Sequence, residues 1–187
     1  ATKLCSDKLF IAANNYIHDT SFSVVRYGNV EGSRGSVIPF FKSLNDKSVI
    51  PVTSKKMTRF SLSLNHSVKL VEWSLLNSIG GEIIVPKIPS YNILDLAKAI
   101  NPKAKIKIIG IRPGEKIYEE MISSHDYLDT YELSKLYVIL PHQVKRVINY
   151  YKSKFKAKKV KENFAYRSDK NKKFLNVAEL KNIIKNL

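Results

Sequence analysis

The chain has 187 residues, with 32 Lys+Arg against 16 Asp+Glu and a formal net charge of +16. With 44% hydrophobic residues and one cysteine, Cys5, it can build a core, which excludes a wholly disordered chain, a disulfide framework and a cysteine-based zinc site. No apolar run reaches the roughly 20 residues of a membrane-spanning helix. The four histidines, His18, His66, His125 and His142, are too scattered for a metal-ligand pair, so no metal site is expected. A single cysteine fits a reducing compartment, and a cytoplasmic place with no membrane partner is the expectation. The start at Ala1-Thr2-Lys3, without Met or a signal-peptide pattern, reads as a processed or cut end.

In chain order, residues 1–17 have Leu4, Leu9, Ala12, Ala13 and Tyr16 at helical spacing and predict a helix. The β-branched and aromatic run Phe22 to Tyr27 predicts a buried strand, which ends in loop chemistry from Gly28 to Gly35. Ser36 to Leu44 predicts a short helix with Pro39 in its first turn. Val49 to Thr53 and Phe60 to Leu64 read as strands. Asn65 or Ser67 caps a helix through Asn77 whose expected apolar face is Val68, Val71, Leu75 and Leu76. Gly80-Gly81 ends it. Glu82 to Val85 is a strand bounded by Pro86 and Pro89, and Ser90 or Asn92 caps a helix stopped by Pro102. Lys105 to Ile109 is a further strand, and Val177 to Leu187 a terminal helix with Leu180, Ile183, Ile184 and Leu187 on its apolar side. Alternating strands and helices predict an α/β class with a mostly parallel sheet.

The charge is uneven. Residues 145–187 hold 14 of the 32 basic residues and only three of the 16 acidic ones. This stretch reads as a Lys-rich tail with a solvated surface. Because Tyr150, Tyr151 and Phe155 interleave with its lysines, a basic nucleic-acid-binding module led by residues 145–161 is the alternative function. Only six arginines exist, and four of them, Arg26, Arg34, Arg59 and Arg112, fall in three segments in or beside loops that follow predicted strands: Arg26 to Phe41, Met57 to Phe60, and Ile111 to Lys116. Open α/β sheets bind ligands at such loops, and guanidinium forks suit a diphosphate. Structural salt bridges are the competing explanation for each arginine. Neither GxGxxG nor GxxxxGK[ST] is present.

Several strings together resemble a known family. They are Ala1 to Lys8 (ATKLCSDK), Arg26 to Phe41 (RYGNVEGSRGSVIPFF), Lys55 to Phe60 (KKMTRF), Gly80 to Ser90 (GGEIIVPKIPS), Asp95 to Ile100 (DLAKAI), Gly110 to Met121 (GIRPGEKIYEEM), Tyr137 to Pro141 (YVILP) and Phe164 to Leu180 (FAYRSDKNKKFLNVAEL). In this order they resemble the inverting UDP-N-acetylglucosamine 4,6-dehydratases. These are extended short-chain dehydrogenase/reductases of polysaccharide and pseudaminic acid biosynthesis. The resemblance covers nearly the whole chain, but only as the C-terminal part of such an enzyme. It implies the end of a Rossmann-type parallel sheet plus a small substrate-binding α/β subdomain. The parts would be 1–50, the end of the Rossmann-type domain; 51–143, a substrate-binding portion interleaved with the last Rossmann strands; and 144–187, a Lys-rich tail with a terminal helix.

The resemblance further implies an NADP-dependent lyase. Oxidation at C4 of the sugar, loss of water across C5 and C6 and return of the hydride to C6 leave no net redox change, and C5 inverts. The catalytic Tyr of the Tyr-x3-Lys pair would stand four residues before Lys3, and the Gly-rich loop would also precede this chain. The chain alone is therefore expected to be inactive. Lys3 inherits the catalytic and cofactor-binding lysine, with Tyr27, Gly28 and Val30 along the nicotinamide. Asn29, Arg34, Ser36, Val37, Thr53, Arg59, Arg112 and Glu115 are the implied substrate-binding residues. A UDP-sugar is the implied partner, with self-association at full length. Two positions depart from the pattern: Ser61, where the family usually has Trp, and Tyr91, where an apolar residue is expected. Adjacent Glu119 and Glu120 read as a solvated face, and Cys5 as a small packing residue. A third reading, a non-catalytic UDP-sugar-binding or assembly partner, uses the same residues.

Overall fold

A computed structural model describes residues 2–44 and 48–187, with side chains from Leu4 onward. The helices are α1 (Thr2–Ala13), α2 (Val37–Lys42), α3 (Leu64–Asn77), α4 (Ile93–Ile100), α5 (Lys145–Phe155) and α6 (Val177–Lys185). The strands are β1 (Val24–Val25), β2 (Val49–Val52), β3 (Thr58–Phe60), β4 (Ile83–Pro86), β5 (Ser90–Asn92), β6 (Lys105–Ile108), β7 (Glu120–Ile122), β8 (Thr130–Glu132), β9 (Leu136–Ile139), β10 (Lys158–Lys159) and β11 (Tyr166–Arg167). Two compact units are each assembled from three chain segments. The first takes residues 1–27, 65–87 and 121–165, and the second residues 28–64, 88–120 and 166–187. The units thus interleave along the chain. No helix among the described residues is long and apolar enough to cross a membrane.

The first unit holds a five-stranded sheet in the order β1-β4-β9-β8-β10. Only β1 and β4 run parallel; the other pairs are antiparallel. The expected mostly parallel sheet is therefore mixed. The reason is local: β8 and β9 are joined by a tight turn closed by Leu133 N–H on the Leu136 carbonyl, and a turn that short can join only antiparallel strands. The core here is Leu70, Ile84, Tyr131, Leu133, Val138, Leu140, Val147, Tyr151 and Ala157. Gly81 has φ +88, and a Cβ on it would stand 2.7 Å from Cγ of Pro141, so only glycine fits.

Several expectations for this unit change. α3 buries Ser67, Leu70 and Ser74, not Val68, Val71, Leu75 and Leu76, which are exposed. Small serines let the helix approach closely, with Ser74 Oγ 3.4 Å from Ser23 Oγ, and the bulkier side chains point to solvent. The apolar residues Leu4, Leu9 and Tyr16 at the chain start are exposed as well, and so is Cys5. The run at Val24–Val25 is half-buried rather than buried. The Lys-rich stretch is folded, not a tail: α5 puts Val147 and Tyr151 into the core, and β10 joins the sheet. Tyr151 is fully buried, and Tyr150 and Phe155 pack against the same core, so these aromatics are not free to stack on bases. The nucleic-acid reading loses its aromatic half.

The second unit has two small ladders, β2 with β6 in parallel and β3 with β5 antiparallel. Helices α2, α4 and α6 pack on a core of Ile38, Phe41, Ile50, Val52, Met57, Tyr91, Ile93, Leu96, Ala97, Ala99, Leu175 and Leu180. Asn92 caps α4, its side chain accepting from Leu94 N–H at 2.8 Å. Asn176 and Glu179 form a reciprocal capping box at the start of α6, at 3.0 and 2.8 Å. The departing residues are both absorbed. Ser61 is buried and its hydroxyl donates to Glu31 Oε1. Tyr91 enters the core, where burial pushes its hydroxyl pKa up.

Candidate functional site

The second unit contains a cavity of about 580 Å³. Its walls come from loops after strands, as an α/β architecture provides. The loop after residue 28 gives Asn29; Gly35 and α2 with its N-cap give Ser36, Val37, Pro39, Phe40 and Phe41. The end of β2 and the turn after it give Pro51, Val52, Thr53 and Met57, and β3 gives Arg59. Ile93, Ile109, Arg112 and Glu115 complete it. The lining includes the apolar Val37, Phe40, Phe41, Met57, Ile93 and Ile109, and its polar groups are two guanidinium groups, one carboxylate, one amide and two hydroxyls.

Seven of the eight residues expected to bind substrate therefore line one cavity: Asn29, Ser36, Val37, Thr53, Arg59, Arg112 and Glu115. The eighth, Arg34, is exposed and does not line it. Among the cofactor-side residues, Gly28 and Val30 are half-buried in this unit, Val30 bridging to Leu62, and neither lines the cavity. Tyr27 is exposed at the end of the first unit's opening segment. Lys3 lies in α1, and its side chain is outside the described residues.

Local chemistry fixes several of these groups. Arg59 spends four N–H donors inside the protein. Nη1 donates to the carbonyls of Thr58 (2.7 Å) and Ile117 (3.3 Å). Nη2 donates to the Lys116 carbonyl (2.9 Å) and to Met57 Sδ (3.4 Å). The guanidinium thus staples the 112–117 turn to β3 and brings its charge to the cavity wall. Within that turn, Glu115 Oε2 accepts from Arg112 N–H at 3.2 Å. Thr53 Oγ1 donates to Met57 Sδ at 3.2 Å. Ser36 Oγ is buried and has no hydrogen-bond partner. A desolvated hydroxyl in a cavity wall gains most from a ligand that supplies its partner.

Arg26, grouped with the phosphate-binding arginines in the sequence, is a structural residue of the first unit. It donates to Asp7 (3.0 Å) and to the Met121 carbonyl (2.8 Å), and stands 3.6 Å from Asp126. Glu119 is also corrected. Instead of lying on a solvated face it is partly buried and accepts from Phe60 N–H at 2.7 Å. Desolvation raises its carboxyl pKa, against the opposing effects of the Phe60 N–H, Arg59 and Lys116. The sequence offered only a pair of adjacent glutamates there, and nothing marked which one turns inward. The apolar lining from Phe40, Met57 and Ile109 was equally unmarked, because each looks like an ordinary core residue.

The comparisons with known proteins agree with the strings read above. A family described as polysaccharide biosynthesis protein matches residues 1–141. A UDP-N-acetylglucosamine 4,6-dehydratase (inverting) of Campylobacter jejuni is 49% identical over 195 aligned residues, which take in 98% of this chain and 58% of that protein. A UDP-glucose 4-epimerase of Rickettsia bellii is 38% identical over 193 residues, across 100% of this chain and 56% of that protein. The X-ray structure of Pen from Bacillus thuringiensis superposes with a TM-score of 0.81 and 33% identity, over 99% of this chain and 55% of that one. The chain thus spans a little over half the length of these relatives. With a family match across most of its length and a relative that aligns over 98% of it, the chain belongs to the polysaccharide biosynthesis protein family.

Proposed function

We propose that this chain is the UDP-sugar-binding, C-terminal portion of an NADP-dependent UDP-N-acetylglucosamine 4,6-dehydratase, a lyase that inverts C5 on a route to pseudaminic acid or a related polysaccharide sugar. The observation that carries this reading is the cavity itself: seven residues chosen from the sequence as substrate-binding line one space of about 580 Å³. In it, Arg112 meets the diphosphate as a charge-assisted donor, and Arg59, its Nη donors already engaged, meets it as a fixed positive charge. Glu115 accepts from ribose hydroxyls, and Ser36 and Thr53 offer hydroxyls to the nucleotide. Asn29 contacts diphosphate or sugar, and the apolar wall carries the base. Arg34 stands outside the cavity and is the weakest of the eight.

In this reading NADP, when bound, takes and returns the hydride. Lys3 holds the nicotinamide ribose hydroxyls and favours the deprotonated form of the family's active-site Tyr by its positive charge. Tyr27, Gly28 and Val30 offer backbone along the nicotinamide. The catalytic Tyr and the Gly-rich loop belong to the part of the full-length enzyme outside this chain, and that enzyme is a cytoplasmic homo-oligomer. The name of the Campylobacter relative supplies the reaction. The Rickettsia relatives are named for an epimerase instead, so the substrate class, a UDP-sugar, is the more strongly supported half of the proposal.

The test is titration of the purified chain with UDP-N-acetylglucosamine in a calorimeter. Binding is expected, and Arg112→Ala should weaken it by about tenfold or more, the scale of a lost hydrogen bond to a charged group. Absence of binding, or binding indifferent to Arg112, overturns the reading of the cavity. A 4-keto product from the chain alone with NADP+ overturns the assignment of catalysis to a larger protein.

A further inference from the structure

In an antiparallel pair, backbone donors alternate between the partner strand and the outer edge. Of the β3 residues, Arg59 faces Tyr91 of β5 in register, and Thr58 and Phe60 donate outward. Thr58 N–H reaches the Ile117 carbonyl at 2.9 Å. Two residues on, Phe60 N–H donates at 2.7 Å to Oε2 of Glu119 and not to a carbonyl. A side-chain carboxylate therefore completes the edge where main-chain pairing stops, and an otherwise orphaned donor is satisfied.

Glu119 is itself anchored. Its N–H donates to Ser168 Oγ at 2.9 Å, and its carbonyl accepts from Ser168 N–H at 2.9 Å. Ser168 Oγ lies 2.8 Å from Thr58 Oγ1, so one serine links both ends of this contact. Gly28 lies against the other flank of the carboxylate: a Cβ there would stand 3.3 Å from Oε2 and 3.2 Å from Phe60 Cβ. Gly28 leads directly to Asn29, and Phe60 follows directly on Arg59, and both of those neighbours line the cavity.

We propose that Glu119 is a positioning residue that holds the Gly28–Asn29 backbone against β3 and so sets how Asn29 and Arg59 are presented to the ligand. This rests on the reading of the cavity as a UDP-sugar site. Glu119 has no ion pair within 4 Å among the described residues, so its carboxylate is free to serve the Phe60 amide alone. The charged and titratable groups that face it are Arg59 from β3, Lys116 from the preceding turn and Tyr91 from β5.

The experiment compares wild type, Glu119→Ala, Glu119→Gln and Gly28→Ala in the 187-residue chain, with UDP-N-acetylglucosamine as the probe and circular dichroism to confirm folding. Glu119→Ala should weaken binding by about tenfold, since a small displacement of two ligand contacts suffices for that. Glu119→Gln should stay within about threefold of wild type, because its amide oxygen still accepts from Phe60 N–H. If Glu119→Ala does not fold, Gly28→Ala pushes on the same carboxylate and should weaken binding several-fold. Unchanged affinity in folded Glu119→Ala or, failing that, in Gly28→Ala, overturns the proposal. Backbone amide spectra of the ligand-free chain give an independent readout: the Asn29 and Arg59 amides should shift together in Glu119→Ala, or in Gly28→Ala, and shifts confined to residues 28 and 60 overturn the proposal. Should wild type bind no UDP-sugar, the cavity reading fails and these shifts alone decide the positioning role.

Discussion

The two units treat their apolar surface differently. In the second, the three helices turn their apolar faces into a common core, and Leu96 and Leu180 are almost wholly buried. In the first, α3 buries two serines and one leucine while Leu75 and Leu76 stand about four-fifths exposed, and α1 leaves Leu9 and Phe10 in solvent. An amphipathic stripe thus identifies a surface that would gain from cover, but not which surface the chain itself covers.

That contrast can be broken by substitution. Leu180→Ala in the second unit should cost about 2–5 kcal/mol in denaturant unfolding, the range for deleting a buried leucine side chain. Leu76→Ala in the first should change stability by no more than about 0.5 kcal/mol, as at an exposed site. Equal costs would mean that the α3 face is covered in solution. An effect smaller than that of Leu180→Ala probes the first unit's own tight packing: Gly81→Ala should destabilise by about 1–3 kcal/mol, because it combines a left-handed backbone with a clash against Pro141. A thermal melt unchanged by that substitution would show that the turn can yield.

The smallest effect concerns Glu119 in the second unit. Its folded pKa is raised, so its contribution to stability is complete at acid pH, below the glutamate pKa of the unfolded chain, and is lost as pH rises through the folded value. Glu119→Gln should therefore gain on wild type as pH is raised from about 4 toward neutrality. Stability curves of the two proteins that run parallel across that range would show that burial does not penalise this carboxylate.

Much of the fold was legible because helix and strand signals are local. Asn92 before a periodic run and Pro102 after it define α4, and the spacing of Leu180, Ile183 and Ile184 marks α6. The cavity's arginines stood out through scarcity, since six in the chain could be considered one by one, whereas Asn29, Ser36, Val37, Thr53 and Glu115 came from the family resemblance. What stayed hidden depended on three-dimensional context. Tyr151 looked like an aromatic among lysines and is core. Arg26 shared loop and residue type with the phosphate-binding candidates, yet Asp7 and Asp126, distant in sequence, claim it. Ser67 and Ser74 gave no hydrophobic signal, although their small size is what selects the buried face of α3.

The stapling of Arg59 has a thermodynamic side. A free arginine side chain loses rotamer entropy worth about 2 kcal/mol when a ligand immobilises it. Here the carbonyls of Thr58, Lys116 and Ile117 and the sulfur of Met57 already hold the guanidinium. That cost is met when the chain folds, so an anion arriving at the cavity finds a fixed positive charge and is spared the ordering penalty. Nε–H is the one guanidinium donor left without a partner among the described residues, which makes this arginine a rigid electrostatic wall rather than a flexible clamp.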